Sequence, residues 1–268
     1  MRAAMETMSI DGSPPGALNG YLVDSFRRFL HTWGLAKDLK GKALELGANP
    51  YFTTWLLTDF TELDLQTANY FGSSDSSGQQ TVTVQARSQE RMIPFRFDHF
   101  NIEDDRFPYE DATFDVVFFC EILEHLVQDP TKPLREINRI LKPGGTLILT
   151  TPNAAQAANV LALIDGHSIW DIFSGHGLYG RHSREYSFGD VHRILEHTGF
   201  RVEHRFTADS FPFDHEARLG TRAMRKLLKG REETLGQYHF FRSKKTGSPT
   251  PGLPAWLFRD FPVDQMSR

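Results

Sequence analysis

The chain has 268 residues, 40% hydrophobic and 24% charged, a content that suits one large α/β domain or two small ones. Its single cysteine, Cys120, excludes an internal disulfide framework, and no apolar run of about 18 residues is present to cross a bilayer. A formal net charge of −4 gives no global field for a polyanion, so nucleic acid is not expected as a partner.

The first 16 residues carry Arg2 but no apolar segment after it, so a secretory signal is not expected and the setting reads as cytoplasmic. Leu22, Phe26, Phe29 and Leu30 recur at helical spacing, predicting an amphipathic helix ahead of the first strand, against the domain's side or over its pocket. Residues 42–46 form a short apolar run ending in Gly47, which reads as a buried strand and a turn, and Pro50 suits the first turn of a helix to about Leu57. Leu63 and Leu65 alternate with polar residues over 62–67 as a second strand would, and 73–80 reads as a polar loop.

Residues 114–119 are the near-continuous apolar run that a strand buried on two faces needs. Leu134, Ile137, Ile140 and Leu141 share a helical face, Lys142-Pro143-Gly144-Gly145 stops that helix, and 146–150 is the next strand. A helix over 188–197, a stop at Gly199, strands over 200–206 and 237–242, and a Pro-rich surface tail from Ser248 complete the pattern. The basic residues Arg218, Arg222, Arg225, Lys226, Lys229 and Arg231 read as a solvated helix face. Alternating strands and helices from 42 to 150 imply a parallel sheet with helices on both faces, whose ligands lie at the carboxyl ends of the strands.

Several local features carry chemistry. In Glu45-Leu46-Gly47, the glycine lets backbone approach a ligand, and the acid can accept hydrogen bonds from a cationic amine. Glu121, Glu124 and His125 lie three and four positions apart, so they share a helical face; two carboxylates and an imidazole could hold a divalent cation, or simply cap the helix and orient a loop. His167, Trp170, Phe173, His176 and Tyr179, followed by Arg181, His182, Arg184 and Glu185, suit a loop that closes over a substrate, with Arg184 and Glu185 alternatively pairing with each other.

The order of Glu45-Leu46-Gly47, Phe114-Asp115, Glu121-x-x-Glu124-His125 and Lys142-Pro143-Gly144-Gly145 resembles the class I methyltransferases, especially the branch with a Glu-x-x-Glu-His sequence after the fourth strand. The resemblance spans about 42–206 and implies a Rossmann-like α/β fold, a mostly parallel seven-stranded sheet with helices on both faces. It implies a helical cap over 1–40, a methyltransferase domain over 41–245 with a substrate lid about 155–187, and a tail over 246–268. The implied cofactor is S-adenosylmethionine.

Carried over by position, Glu45 and Gly47 lie under the methionine moiety and ribose, and Asn101, Ile102 and Glu103 hold the adenine. The ribose falls to Asn69 by spacing or to Asp64 by chemistry. Cys120 becomes a wall residue beside the cofactor, with no basic neighbour to make it a nucleophile. The chain departs from the family in its glycine-rich loop, where only Gly47 remains and Asn49-Pro50 stand in place of further glycines.

Relatives of this branch include small-RNA and quinone-precursor O-methyltransferases that use a metal. The expectation is therefore O-methylation of a small molecule or glycan, with His125, favoured, or His182 as proton acceptor, and Glu121 and Glu124 beside them. A divalent metal on Glu121, Glu124 and His125 is a further option. The rival readings are a metal-dependent RNA 2′-O-methyltransferase and a non-catalytic binding protein, and a homodimer is left open.

Overall fold

The computed structural model describes residues 1–11, 13–14, 16–72, 78–86, 89–175, 177–211 and 229–259. Helix α1 (Arg2–Met5), strand β1 (Ser9–Ile10) and the long helix α2 (Asn19–Ala36) precede β2 (Lys40–Leu46). Then come α3 (Phe52–Phe60), β3 (Glu62–Asn69), β4 (Gly78–Ala86), β5 (Gln89–His99) and β6 (Phe114–Cys120). A 3-10 turn at Leu123–His125 leads to α4 (Thr131–Ile140), β7 (Leu141–Pro152), α5 (Ala157–Ile164), α6 (Phe188–His197), β8 (Phe200–Ala208) and β9 (Tyr238–Lys245).

All nine strands form one sheet in the order β1-β4-β5-β3-β2-β6-β7-β9-β8. The run from β5 to β7 is parallel, and β9 enters antiparallel between β7 and β8. Side chains alternate along each central strand, so both faces must be covered. Leu44, Leu46, Val117, Phe119, Leu147 and Leu149 pack with Leu134 and Ile137 of α4 and Val191 and Ile194 of α6. Ala43, Val116, Phe118 and Ile148 point the other way, against Leu35 and Ala36 of α2 and Leu57 of α3.

The fold class holds, but the sheet has nine strands among the described residues rather than seven. The extra strands are β4, which pairs antiparallel with β5 from Gly78↔Phe97 to Ala86↔Gln89, and the two-residue β1 on its outer edge. Residues 78–80, read as loop, therefore belong to a strand, and 73–77 lie outside the described residues. The chain between β3 and β5 is bridged by a strand where a βαβ unit would place a helix. Helices consequently cover both faces of β2, β6 and β7, whereas the wing is covered on one face, where Val82, Val84 and Phe95 pack with Met5, Leu22 and Phe29.

Two boundaries differ for local reasons. Helix α3 begins at Phe52 rather than Pro50, because Tyr51 at its N-cap has φ +67, outside the helical region. Strand β7 begins at Leu141, directly after α4, rather than at Thr146, and it runs through Gly144 at φ +73 and Gly145, where a Cβ would lie 2.9 Å from the Lys142 carbonyl oxygen. Of the basic stretch, Arg218, Arg222, Arg225 and Lys226 lie outside the described residues, as does His176.

Candidate active site

The carboxyl ends of β2, β3, β5 and β6 open into a cavity of about 790 Å³ lined by Gly47, Asn49, Asn69, Phe71, Asn101, Ile102, Glu121, His125 and Tyr179, among others. Gly47 sits at its floor with φ +67, and a Cβ there would meet Ile122 Cδ1 at 3.1 Å. Its neighbours hold the loop without further glycines. Asn49 N–H donates to Asn69 Oδ1 at 3.0 Å, Asn69 Nδ2 donates to the Tyr51 hydroxyl at 3.0 Å, and that hydroxyl donates to Gln80 Oε1 at 2.8 Å. The Tyr51 ring stacks on Phe95 at 5.1 Å, so the β4–β5 wing fixes the left-handed residue that starts α3.

Asn101 forms the opposite wall. Its Oδ1 accepts from Glu103 N–H at 3.0 Å, and its Nδ2 donates to Asp104 at 2.8 Å and to the Tyr179 hydroxyl at 3.1 Å. Tyr179 in turn meets Tyr70 edge to face at 6.0 Å, so residues from the 155–187 segment wall the cavity. Behind Gly47 a smaller compartment of about 90 Å³ is lined by Glu45, Cys120, Glu121, Thr150 and residues of α2 and α3. Burial pushes the Glu45 carboxyl up to about 8, although Thr54 Oγ1 donates to it at 2.6 Å. Burial also raises the Cys120 thiol, leaving it neutral and unsuited to attack.

Beyond β6 the chain turns through Glu121, which holds φ +56, into the Leu123–His125 turn. Glu124 is buried; its Oε2 accepts from Thr151 Oγ1 at 2.9 Å, while its Oε1 has no hydrogen-bond partner. Burial and the Glu121 charge push the Glu124 carboxyl upward. His125 Nδ1 lies 2.9 Å from the Arg181 carbonyl oxygen, which can only accept, so Nδ1 carries the hydrogen and Nε2 the lone pair. Burial lowers His125 below its usual range. His182 packs edge to face on His125 at 5.0 Å, and Glu185 Oε1, 2.8 Å from its Nδ1, raises its proton affinity.

Residues 44–149 match the family described as a methyltransferase domain. The chain has the α/β fold of the class I methyltransferases, and the family match covers residues 44–149 of it. The methyltransferase domain resembles the Ubiquinone biosynthesis O-methyltransferase of Xanthomonas oryzae pv. oryzae (strain PXO99A), with 45% identity over 60 residues, 22% of this chain and 25% of that protein. The protein of the same name from Xanthomonas campestris pv. campestris (strain B100) is 43% identical over 60 residues, with the same shares of 22% and 25%. The match therefore spans about a quarter of the length of these curated relatives.

The fold is shared more widely. A SAM-dependent methyltransferase from Archaeoglobus fulgidus superposes with a TM-score of 0.51 at 13% identity, covering 84% of this chain and 94% of that one. A chain of the complex between the Haloferax volcanii Trm112 methyltransferase activator and a methyltransferase gives 0.52 at 20% identity, covering 86% and 96%.

Of the residues expected at the site of this methyltransferase domain, the structure brings Gly47, Asn69, Asn101, Ile102, Glu121 and His125 to the main cavity, and Glu45 and Cys120 to the inner one. Glu103 is not among the lining residues. It is buried, and its Oε1 accepts from Val127 N–H at 3.0 Å and Gln128 N–H at 2.8 Å, clamping the chain that leaves the Leu123–His125 turn. Asp64 is exposed near the start of β3 and far along that strand from the cavity, as a solvated acid would be.

Among the described residues, the His, Cys, Asp and Glu side chains that converge closely enough for a metal are Glu124, His125 and His182. Glu121, expected in that set, pairs instead with Arg28 of α2. Arg184 does not take Glu185, which bonds to His182; its guanidinium lies over Tyr186 at 5.3 Å. Sequence reasoning missed Arg28 and Tyr70 as site residues, whereas Tyr179, read there as part of the closing loop, does line the cavity. Arg28 carried no visible sign, because Leu22, Phe26, Phe29 and Leu30 form a stripe on the far side of the helix from it and only the fold buries it.

Proposed function

We propose that the protein is a cytoplasmic S-adenosylmethionine-dependent methyltransferase that methylates a hydroxyl of a small molecule or glycan, with 155–187 as the acceptor's lid. The observation that carries this reading is one cavity running from Asn69 and Asn101 past Gly47 to Glu121 and His125. It joins a place for a nucleoside to a neutral imidazole. The activity in the name of the relatives, O-methyltransferase, and the presence of only one cysteine support the hydroxyl and the compartment.

The residues present fit the cofactor. Asn69 and Asn101 offer amide groups to ribose and adenine, Gly47 admits backbone contact, and Glu45 faces the compartment where an ammonium would lie. The cofactor supplies a methyl group on a sulfonium, whose departure leaves a neutral thioether. The domain's own work is alignment, exclusion of water and removal of the hydroxyl proton. His125 Nε2 accepts that proton, since its Nδ1 hydrogen is anchored on Arg181 and burial keeps the ring neutral near pH 7. His182, held by Glu185, takes the role of a positioning residue beside it.

Two measurements test this. Calorimetry on the whole chain should detect S-adenosylmethionine binding; no binding would leave a methyltransferase-fold binding protein. His125→Ala should lower turnover by roughly a hundred- to ten-thousand-fold while cofactor affinity stays within about twofold. Unchanged turnover removes His125 from the chemistry.

A second reading rests on the unpaired, buried Glu124 Oε1 beside His125 and His182. These three would hold a divalent cation, with the Arg181 carbonyl and Glu185 fixing the imidazoles, and His125 would then serve as ligand. Loss of activity on chelation, restored by magnesium or manganese, would establish it, and salt-sensitive RNA binding would extend it to an RNA acceptor. Activity indifferent to chelator ends it.

A further inference from the structure

His125 takes its tautomer from a backbone oxygen, the Arg181 carbonyl 2.9 Å from Nδ1. Which nitrogen of a neutral imidazole carries the hydrogen is set by the bond that the ring makes, so Nε2 stays bare only while that carbonyl stays in place. The carbonyl belongs to a strap. Residues 177–180 line the main cavity on the side of Asn101, and the two residues that follow reach His125.

The far end of the strap is well pinned. Ser183 N–H and Arg184 N–H donate to the Glu124 carbonyl at 2.7 and 3.1 Å, and His182 N–H donates to Asp171 Oδ2 at 2.9 Å. The near end has less to hold it: Gly177 sits at φ +87, and Leu178 is 62% exposed. Tyr179 is the anchor there. Its hydroxyl accepts from Asn101 Nδ2 at 3.1 Å, and its ring meets Tyr70 edge to face. Arg181 is two residues on, so the anchor acts on its carbonyl through at most about 7 Å of chain.

The segment that receives the anchor also grips the turn carrying His125. Asn101 Oδ1 accepts from Glu103 N–H at 3.0 Å, and Glu103 Oε1 accepts from the N–H groups of Val127 and Gln128, just past that turn. Residues 101–103 therefore hold His125 from two sides, through its own chain and through the strap. Asn101 Oδ1 keeps a second lone pair for a ligand, so anchoring Tyr179 and facing a nucleoside do not compete.

We propose that Tyr179 is a positioning residue for His125: bonded to Asn101, its hydroxyl seats the Arg181 carbonyl on Nδ1 and so keeps Nε2 free to accept a proton. The proton acceptor is thereby tied to the wall against which the cofactor's base would lie. A substitution at that wall disturbs the chemistry without touching the reacting atoms. The inference rests on the reading of His125 as proton acceptor.

The test reads the ring directly, by nitrogen–proton correlation spectra of the whole chain with isotope-labelled histidine at about pH 8, above the usual histidine range. The His125 signals are those absent from His125→Ala. The wild type should carry the hydrogen on Nδ1. Tyr179→Phe keeps the ring against Tyr70 and removes the anchor, so the tautomer ratio should move by about fivefold toward Nε2–H, the worth of one hydrogen bond. Asn101→Ala should shift the ratio in the same direction from the other partner, whereas Arg181→Ala, which keeps the carbonyl, should leave it unchanged. Calorimetry with S-adenosylhomocysteine separates positioning from packing, because Tyr179→Phe should bind as tightly as the wild type. An unchanged ratio in either anchor variant, an equal shift in Arg181→Ala, or a loss of affinity in Tyr179→Phe overturns the positioning role. A wild-type ring with its hydrogen on Nε2 overturns instead the reading of His125 as proton acceptor. Failure of the wild type to bind overturns the cofactor reading, with the tautomer ratio still deciding the role of Tyr179.

Discussion

The central strands β2, β6 and β7 are sandwiched between helices, whereas β4 and β5 bury Val82, Val84 and Phe95 on one face and turn Gln79, Arg96 and Asp98 toward the other. On that polar face Gln66 Nε2 and the Tyr109 hydroxyl both donate to Asp98 Oδ2 at 2.7 Å, a local network where the central strands have a core. The centre supplies the fold's stability, and the wing shapes the loop that borders the main cavity. Paired substitutions of one residue type examine that division most directly. Phe119→Ala, at a fully buried central position, should cost about 5 kcal/mol in denaturant unfolding, and Phe95→Ala about 3 kcal/mol, because the wing can close over the lost volume. Phe95→Ala should nevertheless weaken cofactor binding more, since Tyr51 stacks on that ring; equal losses in both assays would erase the distinction.

The same contrast explains what the sequence reveals. Strands buried on both faces must be apolar throughout, so 114–119 is conspicuous, and the α4 stripe of Leu134, Ile137 and Ile140 is equally plain. The wing writes its pattern in alternation, Val82 and Val84 on either side of Thr83 and Phe95 and Phe97 on either side of Arg96, a weaker imprint that follows a polar stretch and is easily taken for loop. At the site, Gly47, Asn69, Asn101 and His125 are legible because local spacing places them at strand ends. Arg28 with Glu121 and His182 with Glu124 are not, since their partners lie far away along the chain and only the fold brings them together. Glu103 shows the reverse, a residue in the right segment whose side chain is taken up by backbone amides of another loop.

Gly47 joins the two regions, and it yields the next largest effect. A methyl at Gly47 would meet Ile122 Cδ1 at 3.1 Å on a backbone at φ +67, so Gly47→Ala should cost roughly 1–2 kcal/mol and weaken the cofactor at least as much. Unfolding and calorimetry measure the two. Loss of stability without loss of affinity would mean that the ligand does not lie against this turn.

Glu45 gives a smaller, pH-dependent signature. Burial favours its protonated form, so the folded protein keeps that proton up to about pH 8, above the unfolded value of 4.5, and the associated stability is lost as pH rises through 8. An incoming ammonium favours the carboxylate, so binding below pH 8 releases the proton. Cofactor affinity should then rise by up to about tenfold per pH unit towards 8 and level off above it. Glu45→Gln should flatten this rise, and a profile identical in wild type and variant would separate Glu45 from the ammonium.

The finest test asks whether the wing reaches the ligand at all. Gln80 of β4 accepts from Asn49 Nδ2 at 3.0 Å and from the Tyr51 hydroxyl at 2.8 Å, and that hydroxyl accepts from Asn69 Nδ2, whose Oδ1 holds the Asn49 amide. This closed relay takes the place of the missing loop glycines, which would have let the turn form by backbone freedom alone. Gln80→Ala removes one member without touching the cavity wall. At about 1 kcal/mol net for a hydrogen bond, cofactor affinity should fall several-fold while the unfolding midpoint moves by only a few degrees. Unchanged affinity would make the wing a plain extension of the sheet and leave Asn69 to hold the loop unaided.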